Sequence, residues 1–397
     1  MKFFSFDHLI ITILVFISMW FFSTVLSFEL LDPFWQAFSD FRITDVNLNK
    51  LKSEDKSRAD TRIILINTNK NDNLELARLI SVINRDEPKV IGIEFGINTS
   101  GDPQTDNILR MVLGGVDNLI VAQEFGNWNE KKQEFTTCKK SGDNFSELNH
   151  HFDNLLIGQD KKTTTVRQFS PTSEYRGQKD TLFSLKIAGA YSKKAMNEFF
   201  KRNNDKETIF YKGNYEKFFF ANSIDIINGE INIDFKNKIV LLGSVQPIGE
   251  SFVLEDIYFT PLNDAGSGSA FPDMYGLVIH ANIISMILNR DYFSYLPDFA
   301  AFLIAFIICY INIAIYSYIC YYKKDLYEIG SLIIFVVESI VILIATVYLH
   351  HKYNFEAELT IAIYASALSG YAYEGYLYSM KPLIQNVYYK FSRKGVK

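Results

Sequence analysis

Carboxylates, histidines and amides hold most of the chemistry open to this chain. Glu94 and Asp106 fall at the ends of apolar runs or in the loops after them. At the carboxyl edge of an open α/β sheet, where ligands collect, such a carboxylate pair could bind a cation or a polyol, and Asp256 joins it if the last strand is adjacent. The alternative for these acids is loop capping and solvation. His280 lies inside the apolar run Leu277–Ile284. It is either a ligand-contacting or switching imidazole, or a buried one that bonds a loop carbonyl and steadies the segment before it; Asn282 can do the same through its amide.

A second set of polar residues sits in apolar stretches. Glu338 is near the middle of the run at roughly 329–349, where an ionised carboxylate costs about 2.5 kcal/mol or more inside a bilayer. Counting about 1.5 Å per residue from the Lys323-Lys324 loop, Asn312 lies at a similar depth, so an Asn312–Glu338 hydrogen bond would satisfy both. Ala362, Ser366, Gly370 and Glu374 recur every fourth residue and share one helix face. Small residues at that spacing let helices approach closely, with the contact made either inside the chain or to a partner that Glu374 could reach through a basic residue.

Enzyme motifs are missing. There is no G-x-S-x-G, G-x-x-x-x-G-K-[ST], H-E-x-x-H or G-x-G-x-x-G. His150-His151 with Asp153 is too compact for a strong zinc site and has no Cys partners. The expectation is therefore no enzyme, no metal and no cofactor. A net charge of -5 gives no reason to expect nucleic acid. Three cysteines, Cys138, Cys309 and Cys320, offer no disulfide framework.

The elements that must position these residues begin with four apolar stretches, one at 8–28 and three within 298–380. A helix crossing about 30 Å of hydrocarbon needs about 20 apolar residues, so each reads as a span. Lys2, Lys323, Lys324 and the tail residues Lys381, Lys390, Arg393, Lys394 and Lys397 share one side only with four spans, which puts both termini inside and the large domain outside. Thr24–Phe28 has no A-x-A-like cleavage site, so the first stretch reads as an uncleaved anchor. The expected organisation is an anchor at 1–28, an extracytoplasmic domain at 29–297, a three-helix transmembrane bundle at 298–380 and a basic cytoplasmic tail at 381–397.

Within the domain, apolar runs at 62–67, 90–95, 118–122 and 238–244 read as buried strands. Helices at 72–85 and 103–114 separate the first three. This is a βαβαβ pattern and implies an α/β domain with a mostly parallel, Rossmann-like sheet. Residues 126–180 are expected as loops with a hairpin, followed by a helix at 181–202, a strand pair near 208–222, a flexible turn at Gly266–Ser269 and a helix at 276–289.

Residues 238–292 run K-I-V-L-L-G-S, then L-E-D-I-Y-F-T-P-L, then F-P-D-M-Y-G-L-V-I-H-A-N-I-I-S-M-I-L-N-R-D-Y-F. This is similar to the CHASE domain of the second type, a bacterial extracellular sensor domain. The motif positions are Val240–Ser244, Asp256–Pro261 and Gly276–Asn282, which bring Thr260 and Asn282 into the candidate ligand set with Glu94, Asp106, Asp256 and His280. One span before the domain and three after it also fit. The family often shows D-x-x-F where this chain has Glu94. Such domains usually precede a cytoplasmic cyclase or kinase, and none follows before Lys397. The resemblance thus implies a stand-alone sensor or scaffold in a bacterial cytoplasmic membrane, an oligomer or complex subunit that binds an envelope ligand or protein and reports to a separate partner. The other reading is an ion-motive or transport subunit using Glu338 and Glu374.

Overall fold

A computed structural model describes residues 5–25, 60–68, 72–155, 165–245, 256–263 and 271–383. Lys2, the Gly266–Ser269 turn and the basic residues after Lys381 lie outside the described residues. The chain divides into an α/β unit, Phe34–Tyr292, and a helical unit formed by Met1–Pro33 and Phe293–Lys397.

In the α/β unit, β1 (Ile63–Asn67), β2 (Val90–Ile93) and β3 (Leu119–Asn129) alternate with α2 (Asn73–Asn84) and α3 (Pro103–Gly114). Asp72 and Asp102 cap the two helices, each side chain accepting two backbone N–H groups of the first turn. Those donors have no partner inside a helix, so the caps fix where each helix starts. β11 (Ile239–Gly243) comes from far along the chain and lies between β1 and β2, parallel to both. β10 (Phe219–Asn222) joins β1 on its other side, and β5 (His150–Phe152) pairs with β3, again in parallel.

Successive residues of these strands face opposite layers. Ile63, Leu65, Val90, Ile239 and Leu241 pack into one core with α4 (Phe183–Tyr191), α5 (Lys193–Phe200) and α7 (Gly276–Asn289). Ile64, Ile66, Ile91, Ile93, Val240 and Leu242 pack into the other with α2, α3 and α6 (Ser223–Ile227). Burial on both faces explains why the strands are apolar without alternation.

The inserted middle is more regular than its composition suggests. β3 runs on past the sheet and pairs antiparallel with β4 (Glu134–Lys139), while β7 (Thr172–Tyr175) and β8 (Gln178–Thr181) form a hairpin beside β4. Three sequence expectations change. The helix at 181–202 is two helices, because Ser192 caps α5 with its own side chain. The strands near 208–222 do not pair with each other: β9 (Glu207–Thr208) pairs with β6 (Gln168–Phe169), and β10 pairs with β1. A further short pair is β12 (Ile257–Tyr258) with β13 (Met274–Tyr275).

The helical unit holds α1 (Phe6–Val25), α8 (Asp298–Tyr322), α9 (Tyr327–Tyr353) and α10 (Thr360–Gly375), the last continuing through a π-helical turn at Tyr376–Met380. Among the described residues, two helical segments are long and apolar enough to cross a membrane, Asp298–Tyr322 and Lys324–His350; Phe6–Phe21 is a shorter apolar helix. α9 extends beyond the expected 329–349 at both ends. It ends where Asn354 turns left-handed, and β14 (Ser294–Tyr295) then pairs with β15 (Phe355–Glu356).

Candidate functional site

The carboxyl ends of β2 and β11 and the segments after β4 and β5 enclose a cleft of about 930 Å³. That volume lies in the range of small-molecule pockets, and its position is the sheet edge where open α/β folds bind ligands. Glu94, Glu124, Asp153 and Asp256 line it together with Lys139, Lys140, Tyr258 and His280.

Glu94 follows the last residue of β2 and is 8% exposed. Two glycines make room for its carboxylate. A Cβ built on Gly243 would lie 2.5 Å from Glu94 Oε2, and one built on Gly276 would lie 2.8 Å from Glu94 Oε1 and 2.9 Å from Asp256 Oδ2. The glycines of the V-L-L-G-S and G-x-x-x-H segments are therefore where the backbone must approach a carboxylate closely. Both acids stand at the start of α7, and the Gly276 N–H donates to the Asp256 carbonyl at 2.9 Å. The positive end of the helix dipole favours negative charge there. Asp256 adopts φ 62°, a left-handed conformation that Asp tolerates better than most residues. Tyr258 Oη donates to Asp256 Oδ1 at 3.0 Å. Burial, then the Asp256 carboxylate, pushes the Tyr258 hydroxyl far above its ordinary value.

His280 lies one turn after Gly276 and is 1% exposed. It donates to the Asp153 backbone carbonyl, and burial lowers its pKa to about 3, so the ring is neutral. Nδ1 has no hydrogen-bond partner among the described residues. Burial and the neighbouring Asp256 and Glu124 carboxylates push the Asp153 carboxyl well above its ordinary range.

Of the six expected ligand residues, Glu94, Asp256 and His280 meet in this cleft. The other three are engaged elsewhere. Asp106 is buried and accepts from Asn73 Nδ2 at 2.9 Å and the Ser100 N–H at 2.9 Å, with Asn144 Nδ2 at 3.4 Å. Thr260 donates through its N–H and hydroxyl to Asp273, at 2.8 and 2.5 Å. Asp273, not His280, holds the T-P segment. The Asn282 amide accepts from the Lys212 N–H at 2.8 Å and donates to the Gly213 carbonyl at 3.0 Å. Sequence reasoning missed Glu124, Lys139, Lys140 and Tyr258, and weighed Asp153 only as a companion of His150-His151. Those two histidines instead bond Ser141 and Asp180. Tyr258 left a signal, since it stands two residues from Asp256 in the short strand β12.

The helical unit holds a second polar cluster. Asn312 Nδ2 donates to Glu338 Oε2 at 2.7 Å and to Ser366 Oγ at 3.1 Å, and Ser366 Oγ donates to Glu338 Oε2 at 2.6 Å. One node thus joins α8, α9 and α10. Ala362 and Ser366 are buried, and Gly370 packs near Ser331 and Tyr316 with its carbonyl accepting from Tyr327 Oη at 2.8 Å. These three small residues of α10 are used in packing within the chain. Glu374, one turn further, is half-buried.

A family model, the CHASE2 domain, matches residues 9–314. No curated protein matches the chain, and no solved structure matches it.

Proposed function

The chain belongs to the CHASE2 domain family, a family of extracellular sensor domains, and on that premise we propose that it senses a small ligand in the cleft at the sheet edge and relays binding through α7 to the helical unit and thence to a separate partner protein. The observation that carries this reading is the convergence of Glu94, Asp256 and His280, from three separate motifs, on the first turns of α7. Every residue of α7 from Gly276 to Ile287 is buried, so the helix moves as a body rather than bending locally. Only residues 290–297 separate α7 from α8.

In the proposed topology α1, α8, α9 and α10 cross a bacterial cytoplasmic membrane, with the α/β unit outside. Contacts inside the helical unit support one cytoplasmic end. Lys381 Nζ bonds Asp7 Oδ2 at 2.9 Å, and Lys324 Nζ lies 5.5 Å from the Tyr378 ring centroid. The start of α1, the α8–α9 turn and the end of α10 thus gather at one end, with basic residues among them. α9 also exposes Leu332, Ile333, Val336, Val337, Ile340 and Ile344, a surface suited to lipid.

The relay is tested with cysteines replacing Lys324 and Tyr378 in a chain otherwise free of cysteine. An envelope extract that raises the melting temperature of the protein should change their cross-linking rate in membranes. A four-residue Gly/Ser insertion after Pro297 should abolish that change while the melting shift persists. An unchanged cross-linking response in the insertion variant would overturn the relay.

The Asn312–Glu338–Ser366 node favours a second reading, an ion-motive subunit in which Glu338 and Glu374 carry a proton or cation. Glu338→Gln decides between the two. Loss of ion flux in reconstituted vesicles supports transport, whereas an intact ligand response with no flux in the parent chain supports sensing.

A further inference from the structure

We propose that the segment entering α8 is a pivot. Residues 293–296 are clipped to residues 354–356, which fixes the adjoining ends of α8, α9 and α10 to one another. Relative movement of these helices then opens only at their far ends. This deepens the relay reading and rests on it for its use, whereas the clip itself is tested without a ligand.

Three observations carry the assignment. First, the Ser294 N–H donates to the Asn354 carbonyl at 2.9 Å, and the Leu296 N–H donates to the Glu356 carbonyl at 2.9 Å. The two donors are alternate residues of β14, as strand geometry requires. Asn354 makes the pairing possible. It sits at φ 49°, a left-handed conformation common at helix ends, and turns the chain off α9 towards β15.

Second, Phe293 and His350 are 3% and 6% exposed, and their rings stack with centroids 4.9 Å apart and 17° between planes. Phe293 is the residue at which the helical unit resumes after the α/β unit, and His350 lies in the last turn of α9. A stacked pair resists lateral displacement because its favourable geometry is specific. Third, the same ends share an apolar contact: Ala305 of α8, Ile342 of α9 and Ala362 of α10 are buried together, with Leu359 packed against them.

Hinges are a few residues at the ends of elements that absorb a change in backbone angle. A linker with solvated N–H groups would be a swivel, and movement entering at Phe293 would be lost there. With 293–296 held by two backbone bonds and a ring stack, that movement meets a fixed point. α8 begins at Asp298, just past the clip, and runs for 25 residues. At about 1.5 Å per residue it is a lever about 37 Å long, so a slight tilt at the clip becomes a larger movement near Lys324.

The test places spin labels on the purified full-length chain through Asp298→Cys and Glu358→Cys, both exposed positions, with the native cysteines removed. Dipolar spectroscopy should give a narrow distance distribution in the parent chain. Labels at Lys324→Cys and Tyr378→Cys should give a broader one. Ser294→Pro with Leu296→Pro removes both N–H donors, and the narrow Asp298–Glu358 distribution should be lost. Ser294→Ala with Leu296→Ala keeps both donors and should keep it.

A broad Asp298–Glu358 distribution in the parent, or a narrow one in the proline variant with its melting temperature retained, would overturn the pivot. So would a far-end distribution as narrow as the near-end one. Should the proline variant fail to fold, His350→Ala removes the ring that Phe293 stacks on and leaves the backbone intact. The Asp298–Glu358 distribution should broaden there too, and an unchanged width would overturn the proposal. If these distances behave as expected but Lys324–Tyr378 cross-linking never responds to the extract, the pivot stands and the relay fails.

Discussion

The Glu94 carboxylate fills the space that any side chain at residue 276 would need: a Cβ on Gly276 would stand 2.8 Å from Glu94 Oε1. The end of β2 and the start of α7 are thereby locked to one another, and the lock forms part of the cleft wall. Ala in place of Gly there requires the Glu94 and Asp256 carboxylates to shift.

Gly276→Ala should therefore destabilise the protein by about 1–3 kcal/mol through overpacking, despite the better helix propensity of Ala. Glu94→Ala in the same chain should recover part of the loss. A double-mutant cycle on chemical denaturation measures the coupling. Additive effects would show that the two residues do not compete for this space.

His280 makes stability depend on pH below neutrality. Its folded pKa of about 3 lies below the ordinary 6.5 of the unfolded chain. The unfolded state thus binds the extra proton between these values, and the contribution present above pH 6.5 is lost as pH falls towards 3. The slope approaches about 1.4 kcal/mol per pH unit. Asp153 runs the other way: its raised pKa adds stability fully below the unfolded value of 3.8, lost as pH rises. His280→Gln should flatten the loss between pH 6 and 5 in a melting-temperature profile, and a profile unchanged there would refute this account.

Asp106 should prove structural. Removing its carboxylate leaves the buried Asn73 amide and the Ser100 N–H without an acceptor, so Asp106→Ala should cost about 1–3 kcal/mol. The melting shift given by the envelope extract should stay at the parent size. A shift reduced as far as in Asp256→Asn would return Asp106 to the ligand set.

Asp60 fastens the far end of α7. It bonds Arg62 at 2.6 Å and accepts from Ser285 Oγ at 3.0 Å, and Arg62 also donates to Asn289 Oδ1 at 2.7 Å. Burial opposes ionisation, yet the bonds and charge of Arg62 and the bond from Ser285 hold Asp60 below its ordinary pKa. Its contribution is present above pH 3.8 and lost as pH falls through the lower folded value. Asp60→Ala should cost about 3 kcal/mol by stranding a partly buried guanidinium. It should also loosen α7, seen as faster amide exchange over residues 283–289.

In the helical unit, Asn312→Ala and Glu338→Ala should couple by about 0.6–1.7 kcal/mol, the range found for polar pairs between membrane helices. Unfolding of the chain in mixed micelles reads this directly. No coupling would mean that Ser366 alone satisfies Glu338.

Much of this protein is determined locally. The apolar runs of β1, β2, β3 and β11 declare strands buried on both faces, and Asp72 and Asp102 set the starts of their helices. The motif glycines mark close approaches, and Glu338 and Asn312 are matched in depth by rise per residue alone. Such features survive in sequence because one periodicity or one cap fixes them. Tertiary structure decided the rest. β11 enters between β1 and β2 from well over a hundred residues away, and β10 takes the other side of β1. Glu124 and Asp153 reach the cleft only because β3 outruns the sheet and β5 pairs beside it. Asp106 and Thr260 look like site residues in sequence but are taken by nearer partners, because a buried carboxylate or hydroxyl bonds the first donors or acceptors that folding brings to it. Which polar groups remain directed into the cleft is set by long-range pairing, and that leaves no local pattern to read.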